Sequence, residues 1–232
     1  RVGSHEVVSS GVGARERGHT PTGTIFPPRL VECCMTNALA LSPDAQDLLF
    51  REARTANAFT DEPVTDEQVA AIYDLVKYAP TAMNTQPLRI VLVRAGEARE
   101  RLLKHMSEGN REKTASAPLV AVLAADTDFH EHLPRTFPHF AGAKDVFADD
   151  AAREQAARFN ATLQVGYFLL GVRAAGLAAG PMSGFDAAAL DADLPAGTTL
   201  KSLVVVNIGR PAENAWFDRL PRLELDEVVR EA

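Results

Sequence analysis

The longest helix that the sequence predicts is centred on Val165-Gly166-Tyr167-Phe168-Leu169-Leu170-Gly171-Val172. Asp149 or Asp150 is the expected N-cap, the helix extends to about Ala175, and Gly176 ends it. Because its middle is apolar almost all round, the helix should be buried on most of its faces. We therefore expect other elements of the protein to cover it.

Further elements are predicted on both sides of this helix. Strands are expected over Arg89–Ala95, Leu119–Ala125 and Leu203–Ile208, where apolar residues form continuous runs. Helices are expected from Ser42 to about Arg54, burying Leu48, and from a capping box at Thr65 to before Pro80, with Tyr73 on the apolar face. A short helix is expected over Glu97–Met106, with Glu97 and Arg101 spaced for an i,i+4 pair, and a terminal helix or arm over Leu225–Ala232. Their order, with a long irregular segment over 126–150, indicates an α+β fold in which helices wrap a sheet.

Length, charge and composition argue against several classes of protein. The 232 residues carry a formal net charge of -7, which argues against nucleic-acid binding, since that requires a basic surface. No apolar run approaches the roughly 20 residues that span a bilayer, so we expect no membrane segment. There is no secretory signal pattern, and Cys33 and Cys34 are adjacent and cannot link distant segments, so we expect a reduced, cytoplasmic setting.

Residues 1–34 differ from the rest of the chain. They are rich in glycine, proline and charge and lack apolar periodicity. We interpret them as a disordered or non-native N-terminal extension, with Met35 as a plausible natural start. The folded domain is then expected over residues 35–232.

The first candidate motif is Arg54-Thr55-Ala56-Asn57-Ala58-Phe59, at a predicted helix end. A guanidinium beside a hydroxyl can hold a phosphate. The alternative is a solvated helix end with a cation near the dipole, and that alternative is favoured when the motif is considered alone.

The second motif is the loop Ala79–Arg89, which includes Pro80, Thr81, Asn84 and Gln86. Two prolines restrict its backbone, and its polar side chains could contact the rim of a flat heterocycle. An ordinary proline-bounded connection is an equal alternative.

The third motif is Gly180-Pro181-Met182-Ser183-Gly184-Phe185-Asp186. Its glycines allow a ligand to approach the backbone closely. A helix end followed by an N-cap at Asp186 explains the same residues, and the two interpretations are compatible.

In this order, the three motifs resemble the nitroreductase family of flavoenzymes over roughly residues 42–225. Ser107-Glu108-Gly109-Asn110 and Arg219-Leu220-Pro221-Arg222 also fit the family pattern. Within the family the chain looks most like the malonic semialdehyde reductase branch of pyrimidine degradation. The segments that carry this finer likeness are Arg54–Asn57, Leu133–His139, Gly180–Asp186 and Thr199–Ser202.

The resemblance implies a nitroreductase-like α+β fold with a central mixed sheet, an intertwined homodimer, bound FMN and NAD(P)H as co-substrate. Hydride would be carried by the flavin itself, so no side chain is expected to be catalytic. The phosphate would be held by Arg54, Thr55, Arg219 and Arg222, with Asn110 at the ring and Pro181–Gly184 near its reactive nitrogen. Further contacts would come from Pro80, Thr81, Ala82 and Asn84 of the partner chain.

The sequence departs from the family at Asn57, where many members have arginine or lysine. Lys113 or another arginine could compensate for the missing cation, or the flavin potential could be lower. Both possibilities stay open at this stage.

The segment around Arg135, Phe137 and His139 is the best candidate for a substrate lid. Arg135 could bind a carboxylate through two hydrogen bonds. A surface loop without substrate contact is the alternative, and a zinc site is disfavoured because no cysteine or acidic ligand set shows ordinary zinc spacing. No metal is expected. Gly11-x-Gly13 is not a dinucleotide fingerprint, because the third glycine and a preceding strand are absent.

These interpretations predict an FMN-dependent NAD(P)H oxidoreductase that reduces malonic semialdehyde to 3-hydroxypropionate. A general nitroaromatic or quinone reductase that uses the same site is the first alternative. A flavin-binding protein without turnover, or one that degrades flavin, is the second. The preference between NADH and NADPH stays open, since no domain that reads a ribose 2′-phosphate is recognisable.

Overall fold

A computed structural model describes residues 38–232 of the chain. Residues 43–232 form a compact unit, and residues 38–42 belong to a separate one. The predictions made for residues 1–34, including those for Cys33 and Cys34, lie outside the described residues, as does Met35.

The compact unit contains eight α-helical segments and four strands among the described residues. The helices are α1 (Pro43–Gln46), α2 (Asp66–Val76), α3 (Glu97–His105), α4 (Glu108–Ser116), α5 (Leu133–Thr136), α6 (Asp150–Ala174), α7 (Ala187–Asp193) and α8 (Leu225–Val228). The strands are β1 (Leu88–Val93), β2 (Leu119–Asp126), β3 (Ala178–Met182) and β4 (Leu200–Gly209). A π-helical turn, Asp47–Arg51, continues α1, and 3₁₀ turns span Ala82–Asn84, Phe129–His132 and Asp145–Phe147.

The sheet has the order β1-β2-β4-β3. All three strand pairs are antiparallel. The α+β class is therefore confirmed. The expected mixed sheet is wrong for the four described strands, since none of them pair in parallel. The middle strand β2 is buried at every residue, because helices cover both of its faces. β1 and β3 are the edge strands of this sheet.

Three regular elements, β3, α4 and α5, were not predicted. β3 lies where a ligand-binding loop was expected, and its Pro181 is tolerated because an edge strand leaves one side free of ladder hydrogen bonds. α4 was missed because its sequence, Glu108–Ser116, has almost no apolar periodicity. The segment over 126–150 was expected to be irregular and instead holds α5 and two 3₁₀ turns.

Two predicted helices differ from expectation in which residues they bury. α1 and its π turn end at Arg51 rather than Arg54; Leu48 is 49% exposed, whereas Gln46 is buried. The predicted capping box of α2 is confirmed, but its Tyr73 is 56% exposed rather than buried.

The long helix α6 begins at the expected N-cap. The carboxylate of Asp149 accepts a hydrogen bond from the backbone N–H of Ala152 at 2.8 Å. α6 packs against α2 at Gly171, where an added Cβ would lie 2.4 Å from Cγ1 of Val76. The two helices therefore approach so closely that a larger residue at this position would not fit.

In the single chain, only one face of α6 is buried. The expectation that most faces of this helix are buried is therefore wrong for the single chain. The buried face carries Ala157, Ala161, Val165, Phe168 and Val172. The opposite face exposes Phe159, Leu163 and Tyr167, at 66%, 43% and 43%. No helix within residues 38–232 combines the length and hydrophobicity needed to cross a membrane.

Candidate active site

Three arginines converge near the end of the first helical region. Arg173, from the end of α6, donates from Nη2 to the carbonyl of Arg54 at 2.9 Å, and Arg219 donates from Nη1 to the carbonyl of Ala53 at 3.4 Å. The Arg54 guanidinium lies 5.9 Å from the ring centroid of Trp216. Burial, and to a lesser extent the neighbouring Arg219, lowers the pKa of Arg173. Such a cluster of cations suits an anion with several oxygens.

The backbone that follows this cluster packs against β3. The N–H of Ala56 donates to the carbonyl of Ala179 at 3.0 Å, and the N–H of Asn57 donates to the carbonyl of Ala215 at 2.9 Å. Gly180 makes this approach possible, since an added Cβ there would lie 2.5 Å from the Ala56 carbonyl oxygen. The arginine motif and the glycine motif of the sequence are therefore neighbours in the fold.

Lys113 of α4 lies beside Asn57. Its Nζ donates to Oδ1 of Asn57 at 3.5 Å, and its carbonyl accepts from Nδ2 of the fully buried Asn207 at 3.0 Å. One residue later, the hydroxyl of Thr114 contacts Sδ of Met182 at 3.9 Å. A cation is thus present next to the position where the sequence lacks one.

Asn110 contacts the same segment from the start of α4. Its Nδ2 donates to the carbonyl of Gly184 at 3.0 Å, and the N–H of Ser107 donates to that same carbonyl at 3.0 Å. An added Cβ at Gly184 would lie 2.6 Å from Nδ2 of Asn110, so glycine is needed for this contact. We call these residues together the sheet-side group: Arg54, Thr55, Asn57, Asn110, Lys113, Arg173, Pro181, Met182, Ser183, Gly184 and Arg219.

The proline-bounded loop lies against α6 instead. The N–H of Ala82 donates to Oδ1 of Asn160 at 2.8 Å, and the N–H of Leu88 donates to Oε1 of Gln164 at 2.9 Å. The hydroxyl of Thr81 accepts from the N–H of Gln86 at 3.2 Å. These contacts give the loop a defined shape.

The candidate lid touches this loop. Nδ2 of Asn84 donates to the carbonyl of Thr136 at 2.8 Å, and the rings of Phe137 and His139 have centroids 3.9 Å apart. Arg135 lines a cavity of about 510 Å³ between the lid, α2, β1 and α6, and makes no hydrogen bond or ion pair with another described residue. We call the following residues the loop-side group: Pro80, Thr81, Ala82, Asn84, Arg135, Phe137 and His139.

The two groups are separate within one chain. No hydrogen bond or ion pair among residues 38–232 joins them. The guanidinium of Arg222 lies with neither group; its Nη1 donates to the carbonyls of Leu220 and Pro221. In this part of the chain, no group of three or more histidine, cysteine and acidic side chains is arranged to hold a metal ion.

Sequence reasoning missed three residues that organise these groups. Arg173 lies at the end of α6, where a basic residue is ordinary and gives no separate signal. Asn160 and Gln164 are buried on α6. Polar residues inside an otherwise apolar helix were the available signal for these two amides.

The model of the Nitroreductase family matches residues 50–210, which include most of both groups. The chain belongs to the nitroreductase family. The family assignment covers the three motifs, the sheet and α6.

Two relatives with similar sequences share one name, which describes an NAD(P)H nitroreductase. A Streptomyces griseus protein named "Putative NADH dehydrogenase/NAD(P)H nitroreductase" is 64% identical over 193 residues, which cover 83% of this chain and 98% of the relative. A Leptothrix cholodnii protein of the same name is 50% identical over 188 residues, covering 81% of this chain and 95% of the relative.

Solved structures share the fold. The crystal structure of a "putative nitroreductase" from Bacillus subtilis matches with a TM-score of 0.70 at 23% identity, covering 79% of this chain and 97% of that one. A second, from Exiguobacterium sibiricum, was solved in complex with FMN and matches with a TM-score of 0.70 at 16% identity, covering 82% of this chain and 98% of that one.

Proposed function

We propose that this protein is an FMN-dependent NAD(P)H oxidoreductase that acts as a homodimer and reduces malonic semialdehyde to 3-hydroxypropionate. The observation that carries the proposal is the sheet-side group, which combines clustered cations, amide side chains and glycine-lined backbone. Membership of the nitroreductase family and the FMN complex of a structural neighbour support it.

The donor set of the sheet-side group fits the chemistry of FMN. Arg54, Arg173 and Arg219 offer guanidinium donors for a phosphate, and Thr55 is exposed and can add a hydroxyl. Asn110 offers an amide for the polar edge of the ring. The missing side chain of Gly184 lets Asn110 reach the backbone of this segment, which holds the amide in place.

FMN, when bound, accepts and donates hydride. The protein's own residues hold and orient the reactants and adjust the local charge. Lys113 places an ammonium group next to Asn57, where it would favour negative charge that develops on the ring. This contact favours the first of the two possibilities that the sequence left open, namely that Lys113 replaces the usual cation.

The homodimer would bring the loop-side group of one chain to the sheet-side group of its partner. Support comes from the exposed stripe Phe159, Leu163 and Tyr167 on α6, since apolar surface of this kind commonly marks an interface. The C-terminal arm also exposes apolar residues, including Leu220, Leu223, Leu225, Val228 and Val229. An arm of this kind suits the intertwined arrangement implied by the family resemblance.

Arg135 supports the choice of a carboxylate substrate. Its guanidinium makes no hydrogen bond or ion pair to another described residue and lines the cavity beside the loop. Malonic semialdehyde carries one carboxylate and one reducible carbonyl, so Arg135 would bind the carboxylate and leave the aldehyde for reduction.

A general nitroaromatic or quinone reductase is the second candidate function. The names of the relatives, which refer to NAD(P)H nitroreductases, favour it. Such substrates are neutral, and they would not require Arg135.

The first experiment is purification of the full chain followed by an absorbance spectrum and a measurement of molecular mass in solution. A flavin spectrum and a dimer are expected. A colourless monomer that does not bind added FMN would contradict the proposal.

The second experiment compares NADPH and NADH oxidation with malonic semialdehyde, a nitrofuran and a quinone. Arg135→Ala should raise KM for the semialdehyde about tenfold and leave KM for the quinone unchanged, and Arg135→Lys should lie between. Equal effects on both substrates would exclude Arg135 as the carboxylate ligand. Slow turnover of all three substrates would favour a flavin-binding protein without turnover.

A further inference from the structure

The helix α6 carries two amide side chains on its buried face. Asn160 is 3% exposed and Gln164 is 7% exposed. They are one turn apart and therefore point in the same direction. Buried amides need hydrogen-bond partners, so their presence among apolar neighbours calls for a structural or functional reason.

The two amides bind the two ends of the same loop. Oδ1 of Asn160 accepts the N–H of Ala82 at 2.8 Å, and Oε1 of Gln164 accepts the N–H of Leu88 at 2.9 Å. Nδ2 of Asn160 donates to the carbonyl of Ala156 at 2.9 Å, which fixes the orientation of this amide. A single helical turn of α6 thus holds both ends of a loop of seven residues.

The loop between these contacts has an unfavourable backbone. Met83, Asn84 and Gln86 have φ values of 50°, 50° and 44°. None of them is glycine, so each adopts the left-handed region at a cost in free energy. A conformation of this kind persists only where surrounding contacts hold it in place, and strained residues often cluster at functional sites.

The same loop connects α6 with the lid. Oδ1 of Asn84 accepts from Nε2 of Gln86 at 2.8 Å, and Nδ2 of Asn84 donates to the carbonyl of Thr136 at 2.8 Å. Thr136 directly follows Arg135. The position of the lid backbone therefore depends on the shape of the loop.

We infer that Asn160 and Gln164 are positioning residues of the active site, which hold the strained loop in the shape needed to contact the cofactor and to place the lid. This inference rests on the proposed function, because it assigns the loop to FMN. Asn160 acts on Thr81, Ala82 and Asn84, and Gln164 fixes the point where the loop enters β1.

The first test is amide hydrogen exchange of the full-length protein, with and without saturating FMN. Asn160→Leu should accelerate exchange of the Ala82 N–H about tenfold, and Gln164→Met should do the same for the Leu88 N–H. Asn160→Asp keeps an acceptor oxygen and should restore most of the protection. The control is Glu100→Leu, which introduces a leucine at an exposed position of α3, away from α6 and the loop. Unchanged exchange of both amides in the variants would overturn the inference.

The second test measures the dissociation constant for FMN, together with kcat, KM and the melting temperature. Asn160→Leu should raise the dissociation constant about tenfold, whereas Asn160→Asp and Glu100→Leu should stay within about threefold of the wild type. A lower melting temperature with unchanged FMN affinity and kinetics would show a merely structural role and overturn the inference. If the wild-type protein itself binds no FMN, the proposed function fails instead, while the exchange experiment still tests the loop contacts.

Discussion

The sheet-side and loop-side groups are built in different ways. The sheet-side group rests on buried backbone of β3 and β4 and on two glycines, Gly180 and Gly184, whose missing side chains allow close packing. The loop-side group consists of a strained loop and an exposed lid, held by a few side-chain hydrogen bonds. Packing therefore fixes the sheet-side group in place, whereas polar contacts hold the loop-side group.

This difference predicts how each group responds to substitution. Changes in the sheet-side group should affect folding or cofactor affinity, because backbone and cations are packed together there. Changes in the loop-side group should affect kinetics more than stability, since its residues are mostly exposed. The first three substitutions described next test the sheet-side half of this contrast, whereas Arg135→Ala tests the loop-side half.

The largest effect is expected for Gly180→Ala. The new Cβ would lie 2.5 Å from the Ala56 carbonyl oxygen, so backbone must move and the free energy of unfolding should fall by about 2–3 kcal/mol. The control is Gly109→Ala in α4, where no atom lies within 4 Å of the added Cβ. That variant should be as stable as the wild type or slightly more stable. Urea denaturation measures both, and equal stability of the two variants would contradict the packing argument.

The next largest effect is expected for Arg219→Ala. Loss of one charged contact to a phosphate should weaken FMN binding by about 2 kcal/mol, which titration of flavin fluorescence can measure. Arg222→Ala serves as the comparison, because Arg222 donates to carbonyls of its own segment. Its effect on FMN affinity should be smaller than that of Arg219→Ala. If the two variants bind FMN equally well, the cation cluster is assigned wrongly.

Lys113→Met should lower the rate of flavin reduction by NADPH about tenfold, because the ammonium group next to Asn57 would be lost. Lys113→Arg should retain most of the rate. Adding Asn57→Lys to Lys113→Met should restore part of the loss, since it returns a cation to the same place. Stopped-flow absorbance measures the rate, and failure of this double variant to recover would mean that the charge is not what matters.

The smallest effect concerns Asp193, outside both groups, which joins α7 to α3. Hydrogen bonds from Arg101 and then His105 lower the pKa of Asp193 from its ordinary value of 3.8. A lowered pKa in the folded state means that the carboxylate stabilises the fold above 3.8 and that this contribution is lost as the pH falls further. Asp193→Asn should therefore lower the melting temperature at pH 7, and its difference from the wild type should shrink under acidic conditions.

Melting curves recorded across this pH range provide the measurement for Asp193. The exposed Asp61→Asn is the matched control and should change the melting temperature little at any pH. A difference that is independent of pH would contradict the assignment of this effect to the carboxylate.

Much of the fold could be predicted from the sequence, because its signals are local. The N-caps at Thr65 and Asp149 and the apolar runs of β1, β2 and β4 lie where periodicity indicates them. β3 escaped prediction because its glycine and proline are typical of a loop. Its pairing with β4 is a long-range effect that local propensity does not report.

The candidate site was predictable only in part. The three motifs carry enough unusual residues to be recognised, and the neighbourhood of Lys113 and Asn57 agrees with the suggested compensation. The role of Arg173 depends on where α6 ends relative to Arg54, 119 residues away in sequence. The pairing of Arg101 with Asp193, rather than with the expected Glu97, likewise depends on α7 folding against α3.

Gly171 has a consequence for α6 as a whole. Because an added Cβ would lie 2.4 Å from Cγ1 of Val76, α6 and α2 can approach this closely only while position 171 has no side chain. The close approach helps to fix how α6 lies on the sheet, and with it the directions in which Phe159 and Asn160, about three turns away, project. A bulkier residue at Gly171 should therefore be tolerated poorly, because it would push α6 away from α2 and shift both the amides that hold the loop and the exposed stripe.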